Sequence, residues 1–316
     1  MKQHKYLIFG IIMMVGIIIF SFYSYYERNF SYQDDYYKIK EFCYEKNDIN
    51  NTICSSFITD EKINKKNLEK YLKLSDPKKR KKEKDVISVT SEIVELTLFS
   101  QLQLFSPLII IFIVVGTLQT EFTSGNFKNH LLREDYKQYL KKCYKIAPKA
   151  AALMPLSLIF IFFCACIFTN FNFDTSLVSP DWAIYNKWKY EHFFLYGLCI
   201  CFIQFFISLL YAHIGILCVR KNKNKLVSII MGYLMFILVY IFIYIVLYVI
   251  IINKILGFKE LTDYFNIVGY WFFNTGPKFM MVVPWSFLFQ IVPFIYICHI
   301  YKNKEKLVLA YEKQIS

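Results

Sequence analysis

Six long uncharged runs dominate the hydrophobic pattern of this chain: Tyr6–Phe22, about Leu96–Leu118, Ala150–Thr169, Phe193–Val219, Leu226–Ile252 and about Phe279–Tyr301. Each covers about 17–27 residues. A helix of that length spans the roughly 30 Å hydrocarbon core of a bilayer. The pattern predicts an all-α, polytopic membrane protein with six transmembrane helices and a small extracellular domain between the first two. The expected organisation is a tail and first span over 1–22, an extracellular segment over 23–95 and a second span over 96–119. A cytoplasmic region over 120–149, three spans over 150–252, a connecting segment over 253–278, a sixth span over 279–301 and a tail over 302–316 follow. Pro107 interrupts the second run. No small-residue cleavage site follows the first run. Instead Tyr23, Tyr25 and Tyr26 form an aromatic belt, so the run reads as an uncleaved span and not a signal peptide.

The polar stretches differ in kind. In 120–149, Gly125 breaks the chain near the start, and helical periodicity begins at Phe127. Leu132, Tyr136, Tyr139 and Cys143 recur at i, i+3 or i+4 and share one face. Lys137, Lys141 and Lys145 form a separate stripe. A short amphipathic basic helix must lie on something, either lipid headgroups or a protein partner. The plain alternative is an interfacial anchor for the neighbouring spans.

The segment 23–95 opens with alternating aromatic and charged residues that read as a helix continuing the first span outward. Cys43 and Cys54, eleven residues apart, are either a disulfide closing a short loop or two free thiols. Asn50-Asn51-Thr52 has the form of a glycosylation sequon, relevant only in a secretory cell type. Apolar residues at helical spacing from Val86 to Glu95 suggest that the second span begins outside the membrane. Asn253–Lys278 is mostly apolar and aromatic but broken by Gly257, Gly269, Gly276 and Pro277. It fits a re-entrant or interfacial helix pair, or else an aromatic interfacial loop.

Composition agrees with the membrane class: 56% of the 316 residues are hydrophobic and the mean hydropathy is +0.35. The net charge of +13 matters through its location. With the amino terminus inside, the short cytoplasmic segments hold 17 Lys and Arg and the short outer loops 5. That asymmetry sets both termini in the cytoplasm of a cell-membrane protein. The basic run Lys78–Lys84 is the one stretch that argues for the inverse orientation.

Catalytic signatures are missing. There is no phosphate-cradling GxxxxGK[ST] and no HExxH. Cys164 with Cys166, and Cys199 with Cys201, are two apart on helices and point to different sides, as packing residues do. His192, His213 and His299 are scattered. No catalytic residue, metal site or cofactor is expected in this chain. The spans hold no Asp, Glu, Lys or Arg in their interiors, which disfavours ion-coupled carriers and proton pumps. Gln204, Ser208 and Ser228 read as interhelical hydrogen-bonding groups.

Six spans, an amino terminus inside, an outer segment after the first span and a re-entrant piece before the sixth resemble the permease subunit of type-2 ABC exporters. In that family an acidic residue, a Gly four positions later, a short coupling helix and a basic residue follow one another. Here Glu121 and Gly125 have that spacing, Asn126–Leu132 matches the coupling helix, and Arg133 and Lys142 stand near the basic positions. The departure is Arg133-Glu134-Asp135-Tyr136, where many members have a small or Pro-containing turn. The resemblance implies a non-enzymatic subunit whose energy comes from a separate ATP-binding subunit, with ATP held by that partner. It also implies a second permease copy or paralogue and no nucleic acid. Partner contacts would come from Glu121, Gly125, Phe127, Lys128, Leu131, Leu132 and Arg133. The cargo would be amphipathic or hydrophobic: an antimicrobial peptide, a lipid or a drug. A different class remains open, a non-transporting membrane sensor or immunity protein that binds a peptide through its outer domain.

Overall fold

The computed structural model describes residues 4–46, 53–54, 58–59, 62–63, 65, 68–69, 72, 86–94, 98–123, 129, 132–133, 135–173, 192–222, 224–257 and 282–303. These residues are helical apart from a two-residue antiparallel pairing and short connections. Five of the helices are long and apolar enough to cross a membrane: Lys5–Glu27, Phe105–Thr123, Tyr136–Phe168, Phe193–Arg220 and Val283–Tyr301.

Helix α1 (His4–Lys38) runs through the aromatic belt and on into wider π-helical turns over Ile39–Glu45. No Gly or Pro after Gly16 interrupts it. The exposed Asp34–Lys38 pair, 2.5 Å apart at i,i+4, adds only a few tenths of a kcal/mol at such a surface. Strands β1 (Ile58–Thr59) and β2 (Lys62–Ile63) pair next. The disulfide Cys43–Cys54 (S–S 2.06 Å) closes a small separate core of Ile39, Cys43, Cys54 and Leu68. A cross-link that closes a short loop restricts the unfolded chain and so favours the ordered segment.

Helix α2 (Val86–Glu92) precedes α3 (Leu98–Thr123). Pro107 lies inside α3, and the helix continues through it. A proline removes one helical N–H bond, and packed neighbouring helices in a membrane accommodate that loss. Helices α4 (Tyr136–Tyr144), α5 (Ile146–Ala151) and α6 (Leu153–Phe168) form one rod with joints at Lys145 and Ala152. After α6 the chain reverses through Asn170 and Phe171, both at positive φ. There the Phe171 amide donates to the Cys166 carbonyl at 2.8 Å, a left-handed helix stop.

Helix α7 (Phe193–Lys221) is followed by α8 (Lys225–Ile241), capped where the Asn224 side chain accepts from the Leu226 amide at 2.9 Å. Alone, α8 is shorter than a span, but helical winding continues as π-helix over Phe242–Ile255. Helix α9 (Val282–Tyr301) completes the described chain. Of the connecting segment over 253–278, residues 253–257 continue the end of the π-helix that follows α8; 258–278, the sequon and the basic run Lys78–Lys84 lie outside the described residues.

Helix α7 is the hub, packing on α3, α9, α8, α5 and α6, while α3 also meets α1 and α8. Ile110, Ile111, Ile113 and Val114 of α3 and Ile203 and Ile207 of α7 are fully or almost fully buried. Helices α1 and α3 interlock reciprocally. Ile113 fills the space a side chain at Gly10 would need, and the Tyr6 ring fills that at Gly116. Small residues let helix backbones approach, and close contact replaces the hydrophobic effect that lipid does not supply.

Candidate functional site

The region of most interest joins the ends of α3, α7, α8 and α9 through α4. Its amphipathic face is real but is used differently from the sequence expectation. Tyr139 is buried, Tyr136 and Cys143 are half-buried, and Lys137, Lys141 and Lys142 are exposed. The face lies against the protein's own helices. The Tyr136 hydroxyl donates to the Tyr301 carbonyl at 2.5 Å, and the Tyr301 hydroxyl donates to the Ile216 carbonyl at 3.0 Å. The Tyr144 oxygen lies 2.7 Å from Nε2 of His213, with the two rings stacked at 5.8 Å. Arg220 donates to the Ile300 carbonyl and sits 5.5 Å from the Tyr301 ring. Thus α4 is fastened to α7 and α9.

A second fastening holds α1, α3 and α8 at the same end. Lys225 Nζ donates to the Tyr6 hydroxyl at 2.5 Å and to Thr120 Oγ1 at 3.0 Å. The Gln119 amide donates to the Asn222 carbonyl at 2.9 Å.

Sequence periodicity placed Leu132 on the buried face and extended one helix from Phe127. The structure corrects both points. Asp135 is extended (ψ 138°) and α4 begins only at Tyr136. Leu132, before this break, is 86% exposed, and Arg133 is exposed beside it. Glu121 is only 9% exposed and lines a cavity in this chain. Gly125, Phe127, Lys128, Leu131 and most of Asn126–Leu132 lie outside the described residues.

Among the described residues, cavities on the bundle include the following three. One of about 320 Å³ sits between α1, α3 and the α4–α5 rod, with Glu121, Thr117, Lys142, Lys145 and Lys149 in its wall. A second, about 260 Å³, lies under α4 between Leu118, Phe122, Ile216 and Phe294. The third, about 330 Å³, lies at the other end of the bundle between α2, α6 and α7. Phe162, Phe193 and Phe194 form its aromatic wall, and Gly197 opens it. Ser91, 4% exposed, lines it with a hydroxyl that has no hydrogen-bond partner among the described residues.

Sequence reasoning missed His213, which is fully buried against Tyr144. The available signal was a polar ring inside an uncharged run, two helical turns before Arg220. It also grouped the lysines differently. Lys142, Lys145 and Lys149 share a cavity, and their i, i+3, i+7 spacing puts them on one face. Among the described residues no group of three or more His, Cys, Asp or Glu is placed to hold a metal. Comparison with known protein families, with curated proteins and with solved structures finds no match.

Proposed function

We propose that this chain is the membrane permease subunit of an ATP-driven exporter that moves an amphipathic or hydrophobic cargo with a separate ATPase. In this reading six helices cross the cell membrane, the fifth being α8 with its π-helical continuation. The two termini and 120–149 are cytoplasmic, and 23–95 is outside. The disulfide at the far end of α1 supports that orientation, because such bonds persist on the oxidising side.

The observation that carries the proposal is the placement of Leu132 and Arg133. They project from the loop immediately before α4, and α4 is fastened to α7 through His213 and to α9 through Tyr301. A partner gripping the loop would pull on the ends of two spans. Rigid-body motion of an ATPase dimer is transmitted by such a connection. Apolar anchors in a docking helix typically contribute about 2 kcal/mol or more each. The test is Phe127→Asp and Leu132→Asp, each followed by pull-down of the ATPase and measurement of cargo-stimulated hydrolysis. Loss of binding or stimulation with normal membrane insertion is expected. Retention of both in both variants would sink the coupling role.

One observation favours a second reading, a non-transporting sensor or immunity protein. The disulfide-closed core at the end of α1 is a separate unit that a peptide could engage. Purification decides between the two. An ATPase accompanies a permease and not a sensor.

A further inference from the structure

The cavity between α1, α3 and the α4–α5 rod carries a charge pattern that α4 docking does not use. Lys142, Lys145 and Lys149 line it on one side and Glu121 on the other, leaving an excess of two positive charges. Thr117 lines it as well, 8% exposed, and its hydroxyl has no hydrogen-bond partner among the described residues. A buried hydroxyl without a partner costs free energy unless a ligand or water satisfies it. The remaining wall is mainly apolar, formed by Leu7, Leu118, Ile146, Tyr139 and Cys143.

Depth identifies the occupant. Leu7 is the second residue of the first apolar run, two positions after Lys5, so the cavity lies at headgroup level. Beside Leu7, Ile8 and Ile12 are exposed on α1, a surface that acyl chains cover in a bilayer. A small soluble anion would use the lysines and leave the apolar wall wet. A phospholipid uses both, with its phosphate between the lysines and Thr117 and its chains along α1. Basic recesses between helices at the cytoplasmic side suit anionic headgroups in this way.

We propose that this cavity is a binding site for the phosphate-bearing headgroup of an anionic phospholipid, such as phosphatidylglycerol, from the leaflet that faces the amino terminus. Thr117 donates to a phosphate oxygen, and Lys145 and Lys149 neutralise its charge. Lys142 and Glu121 largely offset each other. The bound lipid would wedge between α1 and the α4–α5 rod and fix the angle between them. The inference concerns lipid alone and stands or falls separately from the exporter reading.

The test uses the full-length protein in detergent with added phosphatidylglycerol or phosphatidylcholine of the same chains. Lipid retention is read by native mass spectrometry. Two variants remove equal charge: Lys145→Ala with Lys149→Ala, inside the cavity, and Lys137→Ala with Lys141→Ala, outside it. The expected result is preferential retention of phosphatidylglycerol. The cavity pair should weaken it at least about tenfold, given a contribution of about a factor of five per lysine near a charged headgroup, and the outer pair about threefold or less. Equal losses from the two pairs would mean a diffuse surface field and overturn the proposal. Thr117→Val keeps shape and charge, and it carries the test if the lysine variants do not fold. A drop of about threefold or more is expected, and unchanged retention overturns the site. Millimolar inorganic phosphate should not displace the lipid. If it does so and protects the protein equally against heating, the site takes soluble anions and the lipid assignment is wrong.

Discussion

Tyr144 and His213 meet at 2.7 Å, from phenol oxygen to Nε2, across an interval of 69 residues. One stands at the end of the basic helix α4 and the other is fully buried in α7. Phe294 of α9 packs its ring on both, with centroids 5.5 Å from Tyr144 and 6.4 Å from His213.

Removing this contact should loosen α4 without disturbing insertion. Tyr144→Phe deletes only the hydroxyl, and its expected cost is about 1 kcal/mol, near the usual value for a hydrogen bond in a helical membrane protein. His213→Ala also leaves a void and should cost about 2 kcal/mol or more. Thermal unfolding in detergent measures the order of the two. If α4 transmits motion, cargo-stimulated ATP hydrolysis will fall in Tyr144→Phe by more than the loss of stability explains. Equal behaviour of Tyr144→Phe and wild type in both assays would reduce the contact to an incidental one.

The outer segment makes a separate prediction. Cys43 and Cys54 are bridged with their Cα atoms 5.5 Å apart, and the loop they close is short. A cross-link over about a dozen residues restricts the unfolded chain by about 2–3 kcal/mol. Cys43→Ser with Cys54→Ser should therefore leave the membrane helices folded while protease cleavage between residues 46 and 95 accelerates. Peptide mapping without reduction gives the linkage directly. An impermeant thiol reagent, applied to intact cells carrying single cysteines at 60–75, should label them. Labelling only after lysis would invert the topology.

Much of the frame was legible because an uncharged run of twenty residues has few physical outcomes. The bounds of α7 and α9 follow the fourth and sixth runs closely. The face Tyr136, Tyr139 and Cys143 was legible for the same reason, since periodicity reports which side of a helix is buried. What buries it was not legible. The alternatives were lipid and a partner, and the structure supplies Tyr301 and His213 from 165 and 69 residues away. Leu132 failed because periodicity assumes an unbroken helix, and extended backbone at Asp135 ends the phase. Pro107 interrupts the apolar run without ending the helix. The lysine cavity needs α1, α3 and α4 at once, so no single window of sequence contains it.

The α1–α3 interface should be intolerant of added atoms. A Cβ at Gly116 would stand 2.4 Å from the Tyr6 ring, and one at Gly10 would stand 2.3 Å from Ile113. Gly116→Val forces the Tyr6 ring aside and with it the hydroxyl that meets Lys225 and Thr120. Overpacking of this kind costs about 1–3 kcal/mol. Gly16, whose added Cβ would meet nothing within 4 Å, is the internal control. Gly16→Val should leave the yield of folded protein on size exclusion unchanged while Gly116→Val lowers it. Equal yields would show that α1 adjusts freely against α3.

Gly197 offers the opposite kind of substitution. It lines the aromatic cavity at the far end of the bundle, yet a Cβ there would meet no heavy atom within 4 Å. The first carbon of a larger side chain there enters open space. Helix α7 gains as well, because glycine inside a helix is about 1 kcal/mol less favourable than good helix formers. Gly197→Leu should therefore unfold at the same temperature as wild type or a few degrees higher. Function should move the other way. If the cavity takes an apolar part of the cargo against Phe162, Phe193 and Phe194, a leucine side chain occupies part of its volume. Cargo-stimulated ATP hydrolysis should then fall, and basal hydrolysis should hold. A variant that is both stable and fully stimulated would remove this cavity from the transport route. A variant that unfolds at lower temperature would show instead that the space beside Gly197 is filled in the folded protein.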